Sequence, residues 1–116
     1  MNFSFPKSEK LKSRKTIELL FSEGKSFSKF PIKVFFIPVE NAENTQAGFA
    51  VPKRNFKRAV DRNRIKRQMR ESYRLQKHVL NSENGLKFAI FFLYIGKEKL
   101  SYSKIETAME SLIKKL

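Results

Sequence analysis

Between Lys53 and Lys77 the chain places eleven Lys or Arg side chains in twenty-five positions, opposed only by Asp61 and Glu71, for a local net charge of +9. Like charges spaced four apart on a helix cost a few tenths of a kcal/mol per pair. A solvated face would therefore carry mixed charges, and this one does not. Its chemistry is polyanion binding. Arg outnumbers Lys here, and a guanidinium offers planar, forked donors that match phosphate and stack on bases. The residues needed for catalysis by the protein itself are missing from the pattern. His78 is the single histidine, and it reads as a surface residue. The eleven acids are scattered, and there is no cysteine. A metal-dependent or acid–base nuclease would need a carboxylate cluster or a His pair. Asp61, alone among arginines, is expected to pair with them or to support the helix N-terminus.

The rest of the composition sets the frame. The chain has 116 residues, enough for one domain spanning 1–116. Its formal net charge is +14 and its pI about 10.3. With 41% hydrophobic residues, twelve of them Phe, it can bury a core, so it is no disordered basic tail. The absence of cysteine fits a reducing cytoplasm. The N-terminus has no apolar signal core, and the longest apolar run, residues 88–95, is far short of a membrane span of about twenty residues. A soluble, cytoplasmic protein is expected. A membrane-surface helix would need a broad apolar face opposite its charge; Ile65, Met69 and Tyr73 are too few, and a core needs them. That leaves nucleic acid, with composition leaning towards RNA, since RNA-binding proteins track phosphates and stack unpaired bases.

Six elements must position these charges. Residues 13–24 read as a helix capped by Ser13, with Ile17, Leu20 and Phe21 on one face and Gly24 at its end. Residues 32–39 read as a strand that Pro38 disturbs; Lys33, Phe35 and Ile37 share one face, and Ile32, Val34 and Phe36 the other. A turn at 41–46 leads to a strand at 47–53. Its large face, Phe49 and Val51, should meet the core, while Gly48, Ala50 and Pro52 leave room for something to approach the sheet. The basic helix runs over about 58–80. Ile65, Met69, Ser72, Tyr73, Gln76 and Leu80 form one stripe, and Asn63, Lys66, Arg67, Arg70, Arg74 and Lys77 a cationic face. Residues 81–85 end it. Residues 88–95, apolar on both faces, read as a central strand. A last helix starts near Ser103, where Ser103 and Glu106 have capping-box spacing, and buries Ile105, Met109, Leu112, Ile113 and Leu116. The order α-β-β-α-β-α predicts an α+β fold, a small α/β sandwich on one mixed sheet.

These residues also carry a resemblance. The segment AVDRNRIKRQMRE, residues 59–71, resembles the signature helix of the protein subunit of bacterial ribonuclease P, with its Arg-Asn-Arg core at Arg62, Asn63 and Arg64 and the pair Lys66 and Arg67. AGFAVPKR resembles the strand before that helix, LKSRKTIELLFSEGKS the first helix of the family and LSYSKIETAMESLIKK the last. Nearly the whole chain is covered.

The resemblance implies a partner and a reaction. The protein would join a catalytic RNA and promote endonucleolytic removal of the 5′ leader of precursor tRNA. The RNA would do the chemistry with Mg²⁺, held mainly by the RNA, and no organic cofactor, DNA or membrane is expected. The family fold implies a left-handed βαβ crossover around the basic helix, against the usual rule. Arg58, Arg62, Asn63, Arg64, Lys66, Arg67 and Arg70 would meet the catalytic RNA, Asn63 alternatively holding backbone or a metal-bound water. Lys10, Phe21, Lys33, Phe35, Lys53 and Arg54 would line the leader cleft; ordinary core packing is the other reading of the two Phe. Lys10 stands where the family commonly has Arg, Ile17 where an aromatic is frequent, and Tyr94 near an expected basic residue. An independent nuclease and a non-catalytic RNA-binding or ribosome-associated protein are the alternatives. Neither accounts for the central motif together with its flanking elements.

Overall fold

The computed structural model describes residues 9–39, 44–80 and 87–116. The first half of the turn expected at 41–46 falls outside them, and the helix end expected at 81–85 wholly so. Helix α1 (Arg14–Glu23) is capped by Ser13, whose hydroxyl accepts from the Thr16 amide, and Gly24 closes it by donating to the Leu20 carbonyl. Strands β1 (Lys25–Lys29) and β2 (Ile32–Val39) form an antiparallel pair. Then come β3 (Gln46–Ala50), α2 (Ala59–Gln76), a 3₁₀ turn (Lys77–Leu80), β4 (Lys87–Tyr94) and α3 (Tyr102–Lys115). The sheet order is β1-β2-β4-β3, with β2 and β4 antiparallel and β3 and β4 parallel. The parallel pair is connected through α2, as a βαβ unit requires.

β4 is central and apolar on both faces because both are covered. On one side Ile90, Phe92 and Tyr94 join Ile32, Val34 and Phe36 of β2 beneath Ile65, Met69 and Tyr73 of α2 and Ile105, Met109 and Leu112 of α3. On the other side Ala89 and Phe91 pack with Leu11 and Leu20, partly shielded by Ile17, Phe35 and Ile37. The faces read from β2 in sequence are those observed.

Four details differ from the sequence expectation. β1 is an additional strand; KSFSK carries one apolar residue, and as an edge strand it pairs on one side only, so no hydrophobic alternation announces it. Pro38 does not break β2: it pairs with Phe88 beyond the last β1 partner, Phe36, where β2 is itself an edge. β3 stops at Ala50, ahead of Pro52 and a turn closed by the Asn55 amide on the Pro52 carbonyl. The cap of α3 is Ser101, whose hydroxyl accepts from the Lys104 amide, so Ser103 already lies inside the helix.

Candidate nucleic-acid interface

α2 is held by the stripe that its period dictates. Ile65, Met69, Ser72 and Tyr73 are buried, and Gln76 donates to the Ser72 hydroxyl at 2.8 Å. Burial pushes the Tyr73 hydroxyl well above its ordinary pKa, with a smaller contribution from Glu9. Opposite the stripe, Asn63, Arg67 and Arg70 are exposed, Arg58 and Arg64 are exposed on its flanks, and Lys66 is half-buried.

The charge is not uniform along the helix. At the C-terminal end Arg74 is bridged by Glu71, whose carboxyl this hydrogen bond holds below its ordinary pKa. Lys77 is bridged by Glu9 at 2.6 Å. Towards the N-terminus, no carboxylate among the described residues is within ion-pair distance of Arg58, Arg64, Lys66, Arg67 or Arg70. The uncompensated cations thus run from the N-cap, Arg58, to Arg70, ahead of the bridged end of α2. Asp61 pairs with none of the neighbouring arginines: it accepts from Lys99 at 3.2 Å, in the segment before α3. Arg62 behaves differently from its neighbours. It is half-buried, and its Nη1 donates to the carbonyls of Phe56 at 2.7 Å and Lys57 at 2.8 Å.

A second group assembles on the α1 side of the sheet. Strand register puts Phe35, Phe91 and Gly48 in one row across the sheet, and Lys33, Leu93 and Ala50 in the next. Phe21 of α1 lies edge-on to Phe35 at 4.7 Å and to Phe91 at 5.4 Å, yet remains 50% exposed. The Lys33 ammonium sits 5.1 Å from the centre of the Phe35 ring. Phe21 and Phe35 are therefore neither ordinary core nor isolated on the surface; they are two walls of a half-open aromatic corner with a cation beside it.

Leu93, the β4 partner of Lys33, helps line a groove of about 500 Å³ with Pro52, Arg54, Asn55, Tyr94, Ile95 and Lys97. Lys53 and Arg54, both exposed, occupy the turn that β3 feeds. The small face of β3 is less open than its sequence implies. At Gly48 a β-carbon would sit 2.9 Å from the Phe91 ring and 3.5 Å from Leu11, so the chain itself fills that space.

Lys10 does not join this cluster. It forms a parallel bridge with Ala47, and the Leu11 amide donates to the Ala47 carbonyl at 2.9 Å, so the segment runs along the outer edge of β3. Two strands, β4 and β3, separate Lys10 from Phe35. Lys97 was not singled out by sequence reasoning. Where a basic residue was expected near Tyr94, Tyr94 is buried and donates to the Glu98 carbonyl at 2.7 Å. Lys97, three residues on, provides the cation at the groove. The signal was there in GKEK, directly after the central strand.

Among the described residues no three His, Cys, Asp or Glu side chains gather as a metal site would require. No helix among them is long and apolar enough to cross a membrane. The geometry offers two binding surfaces: one lined by uncompensated cations, the other by aromatic rings and lysines.

The model of the Ribonuclease P family matches residues 5–116. The chain belongs to the ribonuclease P protein family. A ribonuclease P protein component of Porphyromonas gingivalis is 38% identical over 118 residues, covering 97% of this chain and 86% of the relative. One from Chlorobium phaeobacteroides is 36% identical, covering 83% and 75%. The ribonuclease P protein of Thermotoga maritima superposes with a TM-score of 0.77 at 26% identity, over 93% of this chain and 97% of that one. The Staphylococcus aureus protein shares the fold, with a TM-score of 0.76 at 20% identity. As a member of this family the chain is a subunit of the endoribonuclease ribonuclease P and acts in tRNA 5′-leader processing with an RNA subunit.

Proposed function

We propose that the two surfaces take two different RNAs. The exposed face of α2 ahead of its bridged end, with Arg58, Asn63, Arg64, Lys66, Arg67 and Arg70, docks on phosphates of the catalytic RNA. The corner of Phe21, Lys33 and Phe35, continued by Lys53, Arg54 and Lys97, holds the single-stranded 5′ leader of precursor tRNA. Lys10, at the outer edge of β3, would meet RNA outside that corner.

The observation that carries this reading is the difference in lining. Forked cations without opposing carboxylates suit a folded, phosphate-rich surface. Rings flanked by lysines suit successive unpaired bases, because every base has a π-face to stack. Hydrolysis belongs to the RNA, with Mg²⁺ held mainly there, and the protein's cations offset repulsion between catalytic RNA and substrate in the cytoplasm.

The test is cleavage of precursor tRNA at limiting Mg²⁺ by the cognate catalytic RNA, with and without the protein, beside the protein alone. The expected result is restored cleavage at the mature 5′ end only when both subunits are present. Cleavage by the protein alone would overturn the reading.

A further inference from the structure

We infer that Arg62 is a positioning residue that registers the leader cleft against the catalytic-RNA face, and that it makes no phosphate contact of its own. This rests on the two-surface reading above and assigns a separate task to one residue of its central motif.

Helical period already separates Arg62 from its neighbours. It precedes Ile65 by three residues, Met69 by seven and Tyr73 by eleven, so it continues the buried stripe by one turn rather than the cationic face. A charged side chain at that place must find partners within the protein. It finds them behind the helix start, where Nη1 donates to the Phe56 and Lys57 carbonyls. Both N–H groups of that nitrogen are thereby used, and the end-on fork that would grip a phosphate through both terminal nitrogens is lost.

The carbonyls it holds belong to the short segment that joins β3 to α2. Residues 51–58 carry Lys53 and Arg54 at one end and lead into α2 at the other. Phe56 anchors this link, buried with its ring 5.8 Å from Tyr94. Asn55 adds a weaker tie, donating to the Gly96 carbonyl at 3.4 Å, and Asp61 is joined to Lys99. Without Arg62, two backbone carbonyls beside α2 lose their charged donor, and the loop bearing Lys53 and Arg54 is free to shift relative to the helix.

The experiment uses the reconstituted holoenzyme and the free protein. Arg62→Ala should leave the salt dependence of catalytic-RNA binding unchanged. Arg67→Ala should reduce the slope by about 0.7–0.9, the value of one lost phosphate contact. Arg62→Ala should also lower the preference for leader-bearing over mature tRNA by roughly fivefold, the size expected for losing well-placed cleft cations rather than a stacking ring. In the free protein it should speed amide exchange in residues 53–57. Arg62→Lys, whose ammonium still donates to both carbonyls, should recover most of the leader preference. Where the Ala variant does not fold, Arg62→Gln replaces it, neutral yet still a donor, with the same unchanged slope expected.

A slope reduced as in Arg67→Ala, with leader preference intact, would overturn the inference and make Arg62 a phosphate ligand. Unchanged exchange in residues 53–57 would overturn it equally. If Arg67→Ala itself leaves the slope unaltered, the helix-face reading fails, a result distinct from either.

Discussion

The two faces of the sheet use the same strands for opposite ends. Towards α2 and α3, alternate residues of β2 and β4 are sealed: Ile32, Val34, Ile90, Phe92 and Tyr94 are all fully buried. Towards α1, the residues between them, Lys33, Phe35, Ile37 and Leu93, remain partly open because one short helix covers only part of that face. A strand's two-residue period lets a single sequence stretch supply a rigid core and, back to back with it, an aromatic binding surface. The binding face can afford its exposed rings because the sealed face carries stability.

Mutations on the two faces of adjacent strands should separate the two roles. Phe92→Ala, on the sealed side, should cost about 3–5 kcal/mol of folding stability and abolish both RNA interactions through unfolding; denaturant titration measures this. Phe35→Ala, one strand over and on the open side, should cost only about 1–2 kcal/mol in the same titration, since its ring is already partly exposed. Equal losses would mean that the open face is core after all.

Gly48→Ala sharpens the comparison from within. The new methyl would press on the Phe91 ring, against which Phe21 rests. A cost of about 1 kcal/mol is expected, with the larger consequence in leader binding, because the displaced ring is the floor of the aromatic corner. Unchanged leader binding would show that the corner tolerates a shifted floor.

On the helix, Arg70→Ala should lower the salt slope of catalytic-RNA binding by about 0.7–0.9 while leaving Tm nearly untouched, which a salt titration and a melt would show. Arg74→Ala, already bridged to Glu71, should change that slope less.

The smallest effect concerns pH. Burial raises the pKa of the Tyr73 and Tyr94 hydroxyls in the folded state. Their contribution is therefore complete below the unfolded value of about 10 and is lost as pH climbs beyond it. Tyr73→Phe should flatten the alkaline side of the stability profile.

Much of this was legible in the sequence where burial imposes a period. The faces of β2, the central position of β4 and the stripe of α2 all follow from spacing, since each segment is long enough to show alternation against a core. β1 was not legible, because an edge strand with a single Phe shows no alternation. Ser101 was passed over for Ser103, since both lie near Glu and apolar residues and only the backbone turn decides between them. The charge run announced polyanion binding but not its internal division. The partners of Arg74, Lys77 and Asp61 come from a nearby turn in one case and from distant segments in two. Such long-range pairing leaves no local signal. Arg62 was hidden by its own motif: the cationic neighbours drew it into their set, although its spacing to Ile65, Met69 and Tyr73 set it apart.

The central claim is that leader and catalytic RNA meet separate surfaces. It is tested most directly by the affinity of the reconstituted holoenzyme for precursor and mature tRNA, at one fixed salt concentration, with wild-type protein and with Phe35→Ala. The account predicts that the substitution weakens binding of the precursor by about 1–3 kcal/mol, as loss of a stacked base does, and leaves mature tRNA unaffected. An equal loss for both ligands, or none for either, would contradict it.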